Sequence, residues 1–248
     1  MKVFISAGHG GSDPGAVGNG LLEKDCNLQI ALAFGQILEA AGVSVKYSRT
    51  KDENDPVTSE VIEANHFQAD YAISFHNNAG GGIGSETWIW PGDAKALKIA
   101  KAFEAVTVES GAKSRGVKTT TSLYFIRNTA MTAVLNESAF IDSKDAARIS
   151  TPDKCADIGR KYAYAFLDLM GLTTDKPKSA SFQIKAKNSK LYVYADHNRD
   201  SEVTYTIKDK RRYTIIESWS EASTNESWGK LKSGIGWINM ADVVKVGD

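Results

Sequence analysis

Cysteine is scarce in this chain: Cys26 and Cys155 are the only two in 248 residues. Two thiols cannot build a disulfide framework or a four-thiolate zinc site, and each reads as a small buried hydrophobe in a reducing compartment. Surplus charge is missing too. The 30 basic residues balance the 30 acidic ones, which removes the electrostatic footprint of a partner for nucleic acid or an anionic membrane. With 5 prolines and 21 glycines, the chain is neither low-complexity nor collagen-like. No apolar run approaches the roughly 18 residues that a membrane span needs. The opening Met-Lys-Val-Phe-Ile-Ser-Ala-Gly-His is too short and ends too polar for a secretory signal, so it reads as a strand. The expectation is a protein made in the cytoplasm without an export signal and without membrane insertion.

What remains is an ordinary globular composition, 42% apolar and 24% charged, with room for one or two domains. Residues 2–7, 43–49, 71–75 and 86–90 read as strands, with 123–126 and 133–135 as shorter ones. Between the first two strands, Leu28, Ala31, Leu32, Gly35 and Leu38 share one helical face, with Asp25 as a cap and Gly42 as a stop. Ile30, Phe34 and Ile37 lie on its other faces, so burial all round is expected. Residues 94–109 and 153–169 read as further helices. Strands alternating with helices imply an α/β fold, a mixed central sheet flanked by helices on both faces. Beyond residue 172 the pattern changes. Residues 173–181 are polar, include Pro177 and read as a linker. Residues 182–248 hold several short β-rich runs and no helical period, which predicts a small all-β, SH3-like barrel.

Only four histidines occur. His9 and His76 each follow a strand, where an α/β sheet gathers its functional groups. Glu23 stands just before the first long helix. Two neutral imidazoles and a carboxylate make a catalytic zinc set, and zinc lowers the pKa of water toward about 7. A hydrolase also needs a group that moves the water proton to the leaving amine. Glu137, at the end of the apolar strand 133–135, is the candidate. Spacing alone leaves the matter open, because a strand-end His-Gly-Gly also makes an ordinary turn.

Three stretches carry a family resemblance. The first is Ala7-Gly8-His9-Gly10-Gly11-Ser12-Asp13-Pro14-Gly15-Ala16, followed by Gly20-Leu21-Leu22-Glu23-Lys24. The second is Ala69-Asp70-Tyr71-Ala72-Ile73-Ser74-Phe75-His76-Asn77-Asn78, preceded by Ala64-Asn65. The third comprises Arg115-Gly116-Val117-Lys118, Leu123-Tyr124-Phe125-Ile126-Arg127 and Ala133-Val134-Leu135-Asn136-Glu137. In this order they resemble the zinc-dependent N-acetylmuramoyl-L-alanine amidases of the Amidase_3 class. That resemblance implies His9, Glu23 and His76 as ligands of one zinc ion, Glu137 as the catalytic carboxylate, and peptidoglycan as substrate. It departs at Ser6-Ala7, where the family often has Asp-Pro, at Thr132, where it often has proline, and at Ala139-Phe140, where it often has Gly-Phe. None of these removes a ligand.

Trp228-Gly229-Lys230-Leu231 and Gly234-Ile235-Gly236-Trp237-Ile238 resemble the end of a bacterial SH3-type wall-binding domain. An amidase joined to such a tail resembles a phage or prophage endolysin against a Gram-positive, clostridial-type host, released through a holin pore. A bacterial autolysin is the other setting. Two rival functions are a zinc peptidase cutting within the stem peptide or bridge, and a non-catalytic wall-binding protein. Elsewhere the plainer readings are preferred: His66 and His197 as structural residues, and the run 208–212 as a solvated hairpin. Glu86, Arg115 and Lys118 are weighed as groove residues, the last two for an anionic glycan or peptide carboxylate.

Overall fold

The computed structural model describes residues 1–172, 178–221 and 226–246. The chain divides into two compact units, Met1–Thr173 and Thr174–Asp248. Of the expected linker 173–181, residues 173–177 lie outside the described residues, and residue 178 already opens a strand.

In chain order the first unit consists of β1 (Lys2–Ala7), β2 (Val17–Gly18), β3 (Leu21–Leu22), α1 (Glu23–Ala40), β4 (Ser44–Tyr47), α2 (Val57–Phe67), β5 (Tyr71–Asn78), β6 (Ser85–Ile89), α3 (Ala94–Glu109), β7 (Ser114–Thr119), α4 (Tyr124–Asn128), β8 (Thr132–Phe140) and α5 (Pro152–Leu169). Six strands form one sheet in the order β4-β1-β5-β8-β6-β7. All neighbours are parallel except β6 and β8, so the sheet is mixed as expected.

The two faces of the sheet are packed differently. On one, Phe34 of α1, Phe75 of β5, Phe103 of α3 and Tyr162 and Phe166 of α5 meet ring to ring, with centroids 4.6–6.3 Å apart. Each such fully buried ring contributes on the order of 1.5–3 kcal/mol. Ile30, Phe34 and Ile37 are all buried, which explains why α1 shows no single apolar stripe. On the other face, Val61 and Ala64 of α2 and Phe125 and Ile126 of α4 pack against Phe4, Ala72, Ala133 and Leu135. Successive residues of a strand alternate between faces, so His76 and Glu137 stand on this second face, four residues beyond Ala72 and Ala133.

Three local expectations are corrected, and one strand, β7, is added to those expected. Residues 123–126 are not a strand but lead into the short helix α4. The Thr120 hydroxyl accepts from the N–H groups of Ser122 and Leu123 and starts the turn, and Arg127 N donates to Leu123 O at 2.9 Å. A four-residue apolar run has no period that separates helix from strand. Asp25 does not cap α1, which begins at Glu23 without a side-chain cap. The carbonyls of Ala16 and Pro14 take the N–H groups of Glu23 and Lys24 instead, at 3.0 and 3.2 Å. His76 and Glu137 lie inside β5 and β8, not at strand ends, because the two strands run on together past both residues. Finally β7, which has no continuous apolar run, pairs only with β6 at the edge of the sheet.

The second unit holds β9 (Lys178–Ala186), β10 (Leu191–Tyr194), β11 (Val203–Ile207), β12 (Tyr213–Glu221), β13 (Glu226–Leu231), β14 (Trp237–Asn239) and β15 (Val243–Val246). They pair antiparallel in the order β11-β10-β14-β13-β12-β9-β15. Among the described residues no pairing joins β11 to β15, so the sheet is all-β and antiparallel without closing on itself. Ile184, Leu191, Val193, Ile207, Ile215, Leu231, Ile238 and Val243 form its core. Tyr194, Trp228 and Trp237 make a second, aromatic cluster. The ring of His197 packs on Trp219 and Trp237, with centroids 4.3 and 5.3 Å away, which accounts for this histidine structurally. His66 is exposed on α2.

Candidate active site

His9 lies two residues beyond β1 in a tight loop and adopts φ +66°, a left-handed conformation that few residues enter. Its Nδ1 is held by the Asp13 carboxylate at 2.8 Å, and its Nε2 faces Glu23 Oε2 at 3.3 Å. His76 reaches the same carboxylate from β5, with Nδ1 3.0 Å from Glu23 Oε1. One ligand atom from each of His9, Glu23 and His76 lies within 4.8 Å of the other two. Among the described residues this is the only such group of three or more histidine, cysteine or acidic side chains.

Two glycines make the convergence possible. A Cβ at Gly8 would overlap the His76 imidazole. At Gly15, where φ is +64°, it would come within 2.6 Å of both Glu23 Oε2 and His9 Cδ2. The Gly8-His9 and Pro14-Gly15-Ala16 turns are therefore shaped around the side chains they surround.

Glu23 is 3% exposed and fully engaged. Its Oε2 accepts from Ala16 N at 2.7 Å; Oε1 accepts from Asn77 N at 3.0 Å and from Asn27 Nδ2 at 3.2 Å. Asn27, one turn along α1, also donates to Gly8 O and accepts from Asn77 Nδ2, tying α1, the His9 loop and β5 together. Burial opposes the charge on Glu23, yet the hydrogen bonds from His76 and His9 outweigh it and hold the carboxyl well below its usual range. The same hydrogen bond, against burial and helped by Asp13, raises His9 to about 9. For His76 burial works against protonation, but the Glu23 hydrogen bond and the Glu137 charge overcome it and raise the imidazole. With only protons to share, the Glu23 carboxylate thus favours the protonated form of both imidazoles.

Glu137 is beside this cluster, opposite His76 in the β5–β8 register and opposite Glu86 in the β8–β6 register. Its Oε2 is buried with no hydrogen-bond partner. Burial lifts its carboxyl to about 7; His76 opposes the shift, and the charges of Glu23 and Glu86 add to it. An unpartnered buried carboxylate is costly unless a ligand or proton completes it. Glu86 differs: it is 3% exposed, but its Oε2 accepts from Arg115 Nε and Lys118 Nζ, both at 2.5 Å.

The fold therefore brings His9, Glu23 and His76 together and sets Glu137 next to them. Sequence reasoning assigned no role to Asp13, Asn27 or Asn77. The signal was modest but present: Asp13 is four residues after His9, and Asn27 is one helical turn after Glu23.

A mixed α/β sheet carrying a His–Glu–His cluster beside a glutamate with an unpartnered oxygen is an arrangement suited to hydrolysis. The family model described as N-acetylmuramoyl-L-alanine amidase, Amidase_3, matches residues 3–167. The chain belongs to that family and is an enzyme of that activity, a hydrolase acting on peptidoglycan. It is 35% identical to the sporulation-specific N-acetylmuramoyl-L-alanine amidase of Bacillus subtilis (strain 168), over 79% of this chain and 81% of that one. It is 30% identical to the endolysin of Bacillus phage SPP1, over 94% of this chain and 93% of the endolysin. Among solved structures, the catalytic domain of the amidase CwlV from Bacillus (Paenibacillus) polymyxa var. colistinus superposes with a TM-score of 0.64 at 28% identity, covering 69% of this chain and 99% of that domain. In the described residues no helix is long and apolar enough to cross a membrane.

Proposed function

We propose that residues 1–172 form a zinc-dependent amidase, in which His9, Glu23 and His76 hold one zinc ion and Glu137 moves the proton. The observation that carries this reading is the convergence of three ligand atoms within 4.8 Å of one another, beside a glutamate whose Oε2 is buried without a partner. Two nitrogens and a carboxylate oxygen suit zinc and leave a position open for water. When bound, zinc would supply a Lewis acid and lower the pKa of water toward about 7.

The chain's own residues do the rest. Asp13 fixes the orientation of the His9 ring, and Asn27 with the Asn77 amide fixes the Glu23 carboxylate. Glu137 accepts a proton from the attacking water as its oxygen bonds to the lactyl carbonyl carbon. It then delivers that proton to the alanine nitrogen as the carbon–nitrogen bond breaks. Burial, which lifts the Glu137 carboxyl, favours its taking up the water proton and holding it for the leaving nitrogen.

We further assign a wall-binding role, of SH3 type, to residues 182–248, in an endolysin-like protein that acts on the wall after holin-mediated release. A match to the phage endolysin across nearly the whole of both chains supports this setting.

Mass spectrometry of purified cell wall digested by the protein tests the reaction. Release of L-alanine-ended peptides from intact lactyl-muramic glycan is expected, abolished by a chelator and restored by zinc. Cuts inside the stem peptide would turn the assignment to a peptidase. Wall binding without any product would leave only a binding protein.

A further inference from the structure

A second cluster of charge lies beside the site, on the same face of the sheet. His76, Glu137 and Glu86 occupy matched register positions on the adjacent strands β5, β8 and β6. Arg115 and Lys118 come from β7, the next strand out, and both direct their charged nitrogens to one oxygen, Oε2 of Glu86. Asn78 Nδ2 donates to the other oxygen at 3.3 Å. Two cations on one carboxylate leave one positive charge in excess. Both cationic side chains are 32% exposed, whereas Glu86 is 4% exposed at its side chain. Each is also braced on an aromatic ring: Arg115 lies 4.9 Å from the Phe140 centroid, and Lys118 lies 5.1 Å from that of Trp88. Such bracing orders long side chains before any ligand arrives.

We propose that Arg115 and Lys118 form a binding position for a carboxylate of the substrate's stem peptide, with Glu86 as the positioning residue that gathers them. The proposal rests on Glu137 being the carboxylate at the reacting bond. Neighbouring strands are about 4.8 Å apart, and successive residues of a peptide advance about 3.8 Å. The Arg115 and Lys118 nitrogens are gathered at Glu86, one strand from Glu137, so a stem peptide crossing the strands from Glu137 toward β7 reaches them by its second residue. In peptidoglycan that residue is a γ-linked glutamate, whose α-carboxyl is either free or amidated. Within the described contacts, Glu86 engages Arg115 through Nε alone, and the guanidinium fork has further donors that suit a second carboxylate.

The test compares two soluble substrates that differ at this one group: N-acetylmuramoyl-L-alanyl-D-glutamate and its α-amide. The wild-type protein is expected to favour the free carboxylate by about 10- to 100-fold in kcat/KM, the range of a charge-assisted hydrogen bond. The loss with the amide should fall on KM more than on kcat. Arg115→Gln and Lys118→Met should each erode the preference, while Arg115→Lys, which keeps the charge, should retain most of it. If Arg115→Gln fails to fold, the wild-type preference and its erosion in Lys118→Met decide the matter. Equal cleavage of the two substrates by the wild type, or an undiminished preference in the variants, would overturn the proposal. Full activity in Glu137→Gln would instead sink the reading on which it rests, and that outcome is separable because the substrate preference is measured independently.

Discussion

Glu137→Gln should lower amidase activity by roughly 10²–10⁴-fold while leaving bound zinc near one equivalent. Glu137 makes no hydrogen bond through Oε2 and is not among the three residues whose ligand atoms converge. Glutamine fills the same volume in β8 and preserves the strand, but it cannot accept the water proton. Replacing a buried, unpartnered carboxylate with a neutral amide also removes a desolvation penalty. The variant should therefore melt no lower than the wild type. Loss of zinc together with activity would show that Glu137 holds metal and does not serve as the base.

His76→Ala should behave differently, losing zinc and activity together. His76 supplies one of two imidazoles in a three-residue set, and its ring fills the space that Gly8 leaves empty. Its removal takes a ligand and a hydrogen bond from Glu23 at once. The remaining Glu23 carboxylate, 3% exposed, would keep His9 as its only imidazole partner. Metal analysis by mass spectrometry, on protein purified without chelator, should find well under a tenth of the wild-type zinc, in line with the 10- to 100-fold affinity cost of even an outer-shell loss. Zinc retained at the wild-type level would remove His76 from the ligand set.

The contrast between these variants reflects what could be read from the residues and what could not. The helix α1 was legible because its apolar positions recur at a helical period, and Gly42 duly follows its end with φ +77°. The burial of Phe34 followed from the same pattern. Strand lengths were not legible. β5 and β8 run past His76 and Glu137 because each strand satisfies the other's backbone, and polar residues such as Asn77, Asn136 and Ser138 are carried inside with them. A reader looking for apolar runs stops at Phe75 and Leu135. The edge strand β7 has one covered neighbour and a polar sequence, so it left no hydrophobic trace.

The candidate site shows the same division. His9 and Glu23 are close in the chain, but His76 is 53 residues beyond Glu23 and Glu137 a further 61, joined only by the β1–β5–β8 order of the sheet. Spacing alone could not choose them; the family resemblance named them, and the register aligned His76 with Glu137. Asp13 and Asn27 escaped notice because an acid in a turn and an asparagine on a helix have many ordinary uses. Their roles emerge only once the His9 ring and the Glu23 carboxylate are seen between them.

A crystal of the zinc-loaded protein measured on both sides of the zinc absorption edge decides whether His9, Glu23 and His76 hold the metal. A single anomalous peak is expected in the first unit, enclosed by the imidazoles of His9 and His76 and the carboxylate of Glu23, with Glu137 beside it and not bonded to it. A peak elsewhere, or no peak in a crystal of fully active protein, would contradict that placement.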